Sequence, residues 1–206
     1  MGLRSLATIA AAIAMLGALS LFEGVARTDA ATTLARAALI NPELRADLLA
    51  RAEGLTSGSW SGVSAWHGGA AETASWIASL RAVEGAADAG PRAARAGARA
   101  VQLAPVQPIT WMRLAALGKA GEAVSTCAPA QCLERSWESA AVIEPEPGCA
   151  RIQVSVAEGL MPDNDDARFA AYVSTLRDRR HAVNCFGALP PQRSFQQLLR
   201  LQAPDH

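Results

Sequence analysis

The stretch that decides the fold is residues 93–117, AARAGARAVQLAPVQPITWMRLAAL. It predicts the end of one helix, a short break and the start of the next, because alanine favours helices and Pro105 cannot continue one. Pro108 suits the first turn of the following helix, where its missing N–H costs no hydrogen bond. The segment therefore predicts two helices, at residues 91–103 and 108–123.

The same alternation of helix and break continues on both sides of this stretch. Proline and glycine clusters separate further predicted helices at residues 28–41, 43–53, 71–83, 131–143, 148–159 and 165–181. The Gly/Ser-rich residues 54–69 are typical of a loop. Aromatic residues make up only 5% of the chain and alanine is its commonest hydrophobic residue, which disfavours strands. The sequence predicts an all-α fold.

Charge excludes one class of partner. The 206 residues carry 19 Lys and Arg against 19 Asp and Glu, so the formal net charge is zero. No excess of basic residues is available to neutralise phosphates, and the sequence predicts no nucleic-acid partner. The length accommodates one domain with an appendage.

The amino terminus predicts a membrane segment. Residues 5–22, SLATIAAAIAMLGALSLF, form an uncharged run of 18 residues, and at about 1.5 Å per residue this run crosses most of a bilayer core. Arg4 on the leading side predicts a cytoplasmic N-terminus, a single-pass inner-membrane anchor over residues 1–27, and a body in the periplasm. The alternatives are a signal peptide cleaved before Arg27, after small residues at Gly24 and Ala26, and a buried globular helix.

Three segments end on a proline with the same spacing of residues before it. Small residues at such positions let two crossing helices approach closely. Pro105 and Pro145 are 40 residues apart, which is the length of a helix-pair repeat. The segments are Ala30-x3-Leu34-x2-Ala37-x4-Pro42, Ala93-x3-Gly97-x2-Ala100-x4-Pro105 and Leu133-x3-Trp137-x2-Ala140-x4-Pro145.

Together with Trp111-x2-Leu114, which begins six positions after Pro105, these segments resemble the tetratricopeptide family. The resemblance implies a short α-solenoid of antiparallel helix pairs over residues 71–186. A partial pair and a Gly/Ser/Trp loop over residues 28–70 would precede it, and a C-terminal tail over residues 187–206 would follow. The chain departs from the pattern at Ala115, where the family has glycine, and at Gly97, where it has an aromatic residue.

Two longer phrases carry a looser resemblance. ARAVQLAPVQPITWMRLAAL and CLERSWESAAVIEPEPGCARI are similar to segments of small membrane-anchored tetratricopeptide-like proteins of alphaproteobacteria, which occur with surface-polysaccharide assembly systems. This resemblance implies a scaffold or adaptor with a protein partner in the cell envelope, acting in polysaccharide export or assembly.

Four cysteines fall in the predicted periplasmic part, and an even number suits an oxidising compartment. Cys127 and Cys132 flank a short loop between predicted helices, whereas Cys149 and Cys185 lie at the same end of a predicted helix hairpin. The sequence therefore predicts the disulfides Cys127–Cys132 and Cys149–Cys185. Four free buried cysteines are the alternative.

Stacked helix pairs would present a concave face. The first helix of each pair lines that face, and residues one turn from the core stripe point into the groove. A mixed polar and apolar set suits a peptide or helix partner, although an ordinary solvated face would have the same composition. Counting from Trp76 and Trp111 predicts the partner-binding residues Ile77, Arg81, Glu84, Met112, Lys119 and Ile152.

The sequence contains no motif for a nucleophile with its base, a phosphate loop or a metal site. The close cysteine pair is C-x4-C and the histidines are scattered, which disfavours zinc. We therefore predict no enzymatic activity, no cofactor and no metal. Trp60, Trp66 and His67 in the Gly/Ser loop support one alternative, an envelope sugar-binding subunit or enzyme.

Overall fold

The computed structural model describes residues 3–57, 67–140, 151 and 155, with side chains from Ala7 onward. These residues form helices and no strand, so the predicted all-α class is confirmed for the described part. The helices are α1 Leu3–Ile40, α2 Arg45–Ser57, α3 Gly68–Val83, α4 Ala89–Leu103, α5 Pro108–Lys119 and α6 Pro129–Ser139. Consecutive helices pack together: α1 with α2, α3 with α4, and α5 with α6.

Helix α1 is one continuous helix of 38 residues, which is about 57 Å long. The sequence predicts a separate helix from residue 28, but the structure shows no break at that point. Arg27 forms an ion pair with Glu23 one turn earlier. The Thr28 hydroxyl donates a hydrogen bond of 2.8 Å to the Gly24 carbonyl. These local bonds carry the helix through the glycine that would otherwise weaken it.

The two halves of α1 have opposite surroundings. Ile13 is 65% exposed and Phe22 is 74% exposed, whereas Ala31, Ala35 and Ala38 are fully buried. Among the described helices, α1 alone is long and apolar enough to cross a membrane, a property that signal sequences share. The exposed apolar half therefore agrees with a membrane or signal segment at the amino terminus.

The structure divides into two compact units, the first containing residues up to Pro105 together with Gly121–Val124. The core of this unit joins α1, α2 and α3 and is built largely from methyl groups. Short side chains let the three helix axes approach, while the longer apolar side chains close the edges of the core. Its buried residues are Ala31, Ala35, Ala38, Leu49, Ala52 and Ile77, with Leu34, Leu48, Leu55, Trp76 and Leu80 packed against them.

A tight turn joins α3 to α4. Helix α3 ends in a Schellman motif, in which the Gly85 N–H bonds the Ala82 carbonyl at 3.0 Å and the Ala86 N–H bonds the Arg81 carbonyl at 3.0 Å. Gly85 has φ of 77°, a conformation that favours glycine. Farther along, the buried Ser75 hydroxyl donates to the Ala93 carbonyl at 2.9 Å and links α3 to α4.

Helices extend into both ends of the predicted loop at residues 54–69, of which residues 58–66 lie outside the described residues. Helix α2 continues to Ser57 because Thr56 is buried, and the Thr56 hydroxyl donates to the Glu53 carbonyl at 3.0 Å. Helix α3 begins at Gly68, where an added Cβ would lie 3.1 Å from the Cβ of Ala104. At Gly68, the absence of a side chain therefore permits the close approach of α3 to the end of α4.

The second unit contains Val106–Ala120 and the residues from Ser125 onward. Pro108 opens α5 as the sequence predicts, and the Ser136 hydroxyl of α6 donates to its carbonyl at 2.7 Å. Trp111 and Leu114 of α5 are buried, as are Leu133 and Trp137 of α6. These four side chains supply the bulk that the alanine-rich first unit lacks.

Arg151 closes the end of α6. Its guanidinium lies 3.7 Å from the centroid of the Trp137 ring, which is a cation–π distance. Arg151 Nη1 donates to the Ser136 carbonyl at 3.0 Å and to the Ala140 carbonyl at 2.7 Å. The Trp137 indole N–H donates to the Ser155 hydroxyl at 3.2 Å. The buried Arg151 thus bonds the Ala140 carbonyl at the end of α6 and adds a second donor to the Ser136 carbonyl, which also accepts the Ala140 N–H at 3.4 Å.

The sequence predicts a Cys127–Cys132 disulfide, and the structure contains it. Its Cα atoms are 5.4 Å apart, and the bridge closes the loop that leads into α6. At the start of α6, the Gln131 Oε1 atom accepts the Ala128 N–H at 3.2 Å. The loop is therefore held by one covalent bond and one capping hydrogen bond.

Substituting Ala35 by leucine should lower the free energy of unfolding by about 1–3 kcal/mol, because three carbons enter a core packed on methyl groups. Urea titration of the full chain in detergent, followed by circular dichroism, measures the change. Ala46→Leu on the exposed face of α2 is the matched control and should shift stability by less than about 0.5 kcal/mol. Equal stability of the two variants would contradict the close packing of α1.

Breaking the local disulfide with Cys127→Ser should destabilise α6 by about 2 kcal/mol, because a loop of this length regains conformational entropy in the unfolded chain. Hydrogen exchange of α6 amides, measured by mass spectrometry, reports the loss. Thr126→Ser, at the exposed neighbouring position, leaves the bridge in place and serves as the control. Unchanged protection in Cys127→Ser would show that the bridge adds nothing to α6.

Candidate functional site

One carboxylate joins three helices of the first unit. Glu53 of α2 lies between Arg81 of α3 and Arg92 of α4. Its Oε1 atom is 2.9 Å from Nε and from Nη2 of Arg92, and its Oε2 atom is 3.5 Å from Nε of Arg81. The Glu53 side chain is 23% exposed, so solvent screens these ion pairs only in part. This arrangement, here called the Glu53 cluster, fixes the positions of α2, α3 and α4.

A cavity of about 350 Å³ opens beside the Glu53 cluster. The lining residues lie on the C-terminal side of the Glu53 cluster in α2 and α4, and on its N-terminal side in α3. Three alanines leave the space because their side chains stop at one carbon, and two hydroxyls and two arginines surround it. Besides Glu53, the lining consists of Thr56, Ser57, Ala74, Ala78, Arg92, Arg95 and Ala96.

The charges around this cavity do not balance. Among the lining residues, Arg92 and Arg95 contribute two positive charges, and Glu53 contributes one negative charge. Arg95 is exposed, and within the described ranges it forms no ion pair. The cavity therefore combines an apolar floor with a local positive excess, which favours an anionic group that carries some apolar surface.

The predicted partner-binding residues of α3 have three different environments. Ile77 is fully buried in the core of α1, α2 and α3, so its side chain is not available on a groove surface. This corrects its assignment, and the reason is that α1 covers the α3 face that the sequence places in the open. Arg81 belongs to the Glu53 cluster, and Glu84 accepts an ion pair from Arg45 at 3.3 Å.

The remaining predicted residues belong to the second unit. Met112 is half-buried and Lys119 is exposed on α5. Ile152 lies outside the described residues, as do Cys149 and Cys185 of the second predicted disulfide. Within the first unit, Ile77, Arg81 and Glu84 follow one another on α3 and its C-cap at spacings of four and three residues.

The exposed His67 side chain also makes a hydrogen bond to the backbone of α3. Its Nδ1 atom accepts the Ala70 N–H at 3.2 Å, so His67 is the N-cap of α3. A side-chain acceptor at this position satisfies one of the N–H groups that a helix start leaves open. Trp60 and Trp66, which complete the alternative sugar or enzyme site, lie outside the described residues.

A second cavity, of about 290 Å³, lies beside the disulfide of the second unit. Trp111 provides its aromatic wall, and its polar rim has two carboxylates and one arginine. Arg135 pairs with Glu138 at 2.9 Å, and Glu134 adds a second carboxylate to the rim. Its lining is Trp111, Thr126, Cys127, Gln131, Glu134, Arg135 and Glu138.

Comparisons with known proteins found no relative of this chain. No family model matches the chain, and neither the curated proteins nor the solved structures contain a significant match.

Glu53, Arg92 and Arg95 are not predicted as a site from the sequence. Glu53 and Arg92 are 39 residues apart, and no local motif links two such positions. A weaker signal was present on α4, where Arg92 and Arg95 are three residues apart and therefore lie on one side of a helix that is otherwise rich in alanine and glycine.

Replacing Glu53 by glutamine should lower the free energy of unfolding by about 1–2 kcal/mol, because Arg81 and Arg92 both lose their anionic partner. Urea titrations in low and high salt measure this loss, which should shrink as salt screens the wild-type pairs. Asp47→Asn is the matched control, since it removes only the exposed i,i+4 pair with Arg51. A salt-independent difference would contradict an electrostatic role for Glu53.

Proposed function

We propose that this chain is a membrane-tethered periplasmic scaffold or adaptor that binds a protein partner in the cell envelope. The observation that carries the proposal is the continuity of α1. Its exposed apolar half leads, without a break, into the alanines that are buried against α2 and α3. A helix shared in this way would hold the first unit at a fixed distance from the bilayer surface.

The proposed orientation rests on charge. Arg4 precedes the apolar run, while Glu23 and Arg27 follow it. Positive charge on the short leading side favours a cytoplasmic N-terminus, so the body would lie in the periplasm. The Cys127–Cys132 disulfide supports this compartment, because such bonds persist where the environment is oxidising.

The proposed architecture of the body is a short solenoid of antiparallel helix pairs. The pairwise packing of α1 with α2, α3 with α4 and α5 with α6 supports it. Proline opens α5 and α6 at the first helical turn, as expected for units that begin after a short connection. Surfaces of stacked helices serve most often in protein recognition.

The proposed role is binding and not catalysis. The first-unit cavity is lined by methyl groups, hydroxyls, two guanidinium groups and the Glu53 carboxylate, a set that favours binding of an anionic group over catalysis by a nucleophile. The similarity of two sequence phrases to membrane-anchored proteins of polysaccharide systems leads us to propose export or assembly of surface polysaccharide as the process.

Two arginines placed in the apolar half of α1, Leu16→Arg with Leu19→Arg, should release the chain from membranes, since each arginine near the bilayer centre costs about 2.5–3.5 kcal/mol. Alkaline carbonate extraction of membranes, followed by immunoblotting, measures the release. Ala46→Arg with Ala50→Arg adds the same charge to the exposed face of α2 and should leave the chain in the membrane pellet.

The adaptor function is tested by purification of the chain from the same membranes. The full chain, purified in mild detergent, should retain residues 1–27 and bring down one defined envelope protein, identified by mass spectrometry. A mature chain that begins at Arg27 would contradict the anchor. Loss of a bound sugar upon joint substitution of Trp60, Trp66 and His67, with no protein partner found, would favour the sugar-binding alternative.

A further inference from the structure

The residues of α2 and α4 meet at the first-unit cavity in two levels, one helical turn apart. At the first level, Glu53 of α2 pairs with Arg92 of α4 at 2.9 Å. At the second level, α4 contributes Arg95, whereas α2 contributes Thr56 and Ser57. Residues three or four positions apart lie on the same side of a helix, so Arg95 repeats the position of Arg92 one turn later. The first level has a carboxylate and the second does not.

The hydroxyls at the second level cannot replace that carboxylate. Thr56 Oγ1 donates to the Glu53 carbonyl at 3.0 Å, and Ser57 Oγ donates to the Gly54 carbonyl at 3.0 Å. Both protons are thus directed into the backbone of α2. A neutral oxygen offers lone pairs to a guanidinium group but no compensating charge, so the positive charge of Arg95 remains.

The apolar floor of the cavity strengthens the attraction between Arg95 and an anion that enters. Ala74, Ala78 and Ala96 are buried and line it with methyl groups. An ion pair over such a surface is less exposed to water than one on an open helix, and its attraction is correspondingly larger. Arg95 also offers a planar fork of N–H donors, which matches the two oxygens of a carboxylate.

We propose that Arg95 binds the carboxylate of a glutamate or aspartate side chain of a protein partner, which enters the cavity between α2 and α4 over Ala74, Ala78 and Ala96. The assignment of the carboxylate to a protein rests on the proposed adaptor function. The positive charge at the cavity, independently of that function, supports an acidic group.

The openness of the site favours a protein over a free organic acid. Arg95 is exposed, and the Arg92 side chain is 39% exposed. Sites for small molecules bury about 70–90% of the surface of their ligand, whereas a group bound at the exposed Arg95 stays in contact with solvent. A partner chain that covers the groove would supply the missing enclosure, and arginine is enriched among residues that dominate protein interfaces.

The experiment uses the full chain in nanodiscs and an array of short acetylated and amidated peptides. Each peptide has a central glutamate between alanine and leucine residues and is matched by a peptide with central glutamine. We expect the glutamate peptides to bind more tightly, and Arg95→Gln to weaken that binding about tenfold or more, the loss expected for one charge-assisted contact. Arg95→Lys should restore part of it, because the charge returns without the planar fork.

Arg36→Gln is the matched control, since Arg36 is an exposed arginine on α1 outside the cavity. Its peptide binding should stay within about twofold of wild type. Thermal unfolding by circular dichroism should give the same midpoint for Arg95→Gln and wild type, because an exposed side chain without an ion pair contributes little to folding.

Three results would overturn the proposal. One is equal binding of the glutamate and glutamine peptides, or no binding of either. Another is equal loss of binding in Arg95→Gln and Arg36→Gln, which would show only a general effect of charge. The third is competition by free glutarate at the affinity of the peptides, which would make the ligand a small organic acid.

The experiment distinguishes failure of the proposed Arg95 site from failure of the proposed adaptor function. If Arg95→Gln loses the glutamate peptides but still co-purifies the wild-type envelope protein, the cavity binds acids and the partner docks elsewhere, which overturns the assignment to that partner. If no envelope protein co-purifies with wild type while the peptides bind through Arg95, the adaptor function fails and the acidic site remains.

Discussion

The structure depends on one continuous helix whose two halves have different surroundings. The exposed half of α1 presents large apolar side chains such as Ile13 and Phe22, which water disfavours, and its second half presents alanines to α2 and α3. Alanine is common in both halves, but residues 5–22 contain no charged residue, whereas Glu23, Arg27 and Arg36 lie in the second half. The second half keeps its alanines against α2 and α3, where large side chains would push the neighbouring helices away.

The alanine-rich contact has an energetic consequence for the whole first unit. Methyl groups bury little apolar area each, so hydrophobic burial per contact is small. Polar links between helices supplement it: Glu53 joins α2 to α3 and α4, Arg45 joins α2 to the end of α3 at Glu84, and Ser75 joins α3 to α4. The second unit uses other means, with Trp111 and Trp137 in its core and a disulfide at the start of α6.

Much of this helix arrangement could be predicted from the sequence, because proline and glycine act locally. Pro108 marks the start of α5, and Gly85 marks the end of α3. The same reasoning failed at residues 54–57, where glycine, threonine and serine indicated a loop. Burial of Thr56 against the rest of the unit outweighed the low helix propensity of these residues, and no local pattern shows that contact. The full length of α1 was not predicted either. Its apolar first part and its charged second part indicated two separate segments, whereas the structure has one helix.

The candidate site could not be predicted because it is a product of helix packing. Ile77 illustrates the limit: helical spacing places it beside Arg81, but only the position of α1 decides that Ile77 is buried while Arg81 reaches Glu53. The cavity has the same origin. Alanines at positions 74, 78 and 96 are buried, and their short side chains leave space beside α2 and α4. An alanine-rich bundle therefore tends to generate both rigid helix contacts and small cavities, and the charges that happen to flank a cavity decide what it can bind.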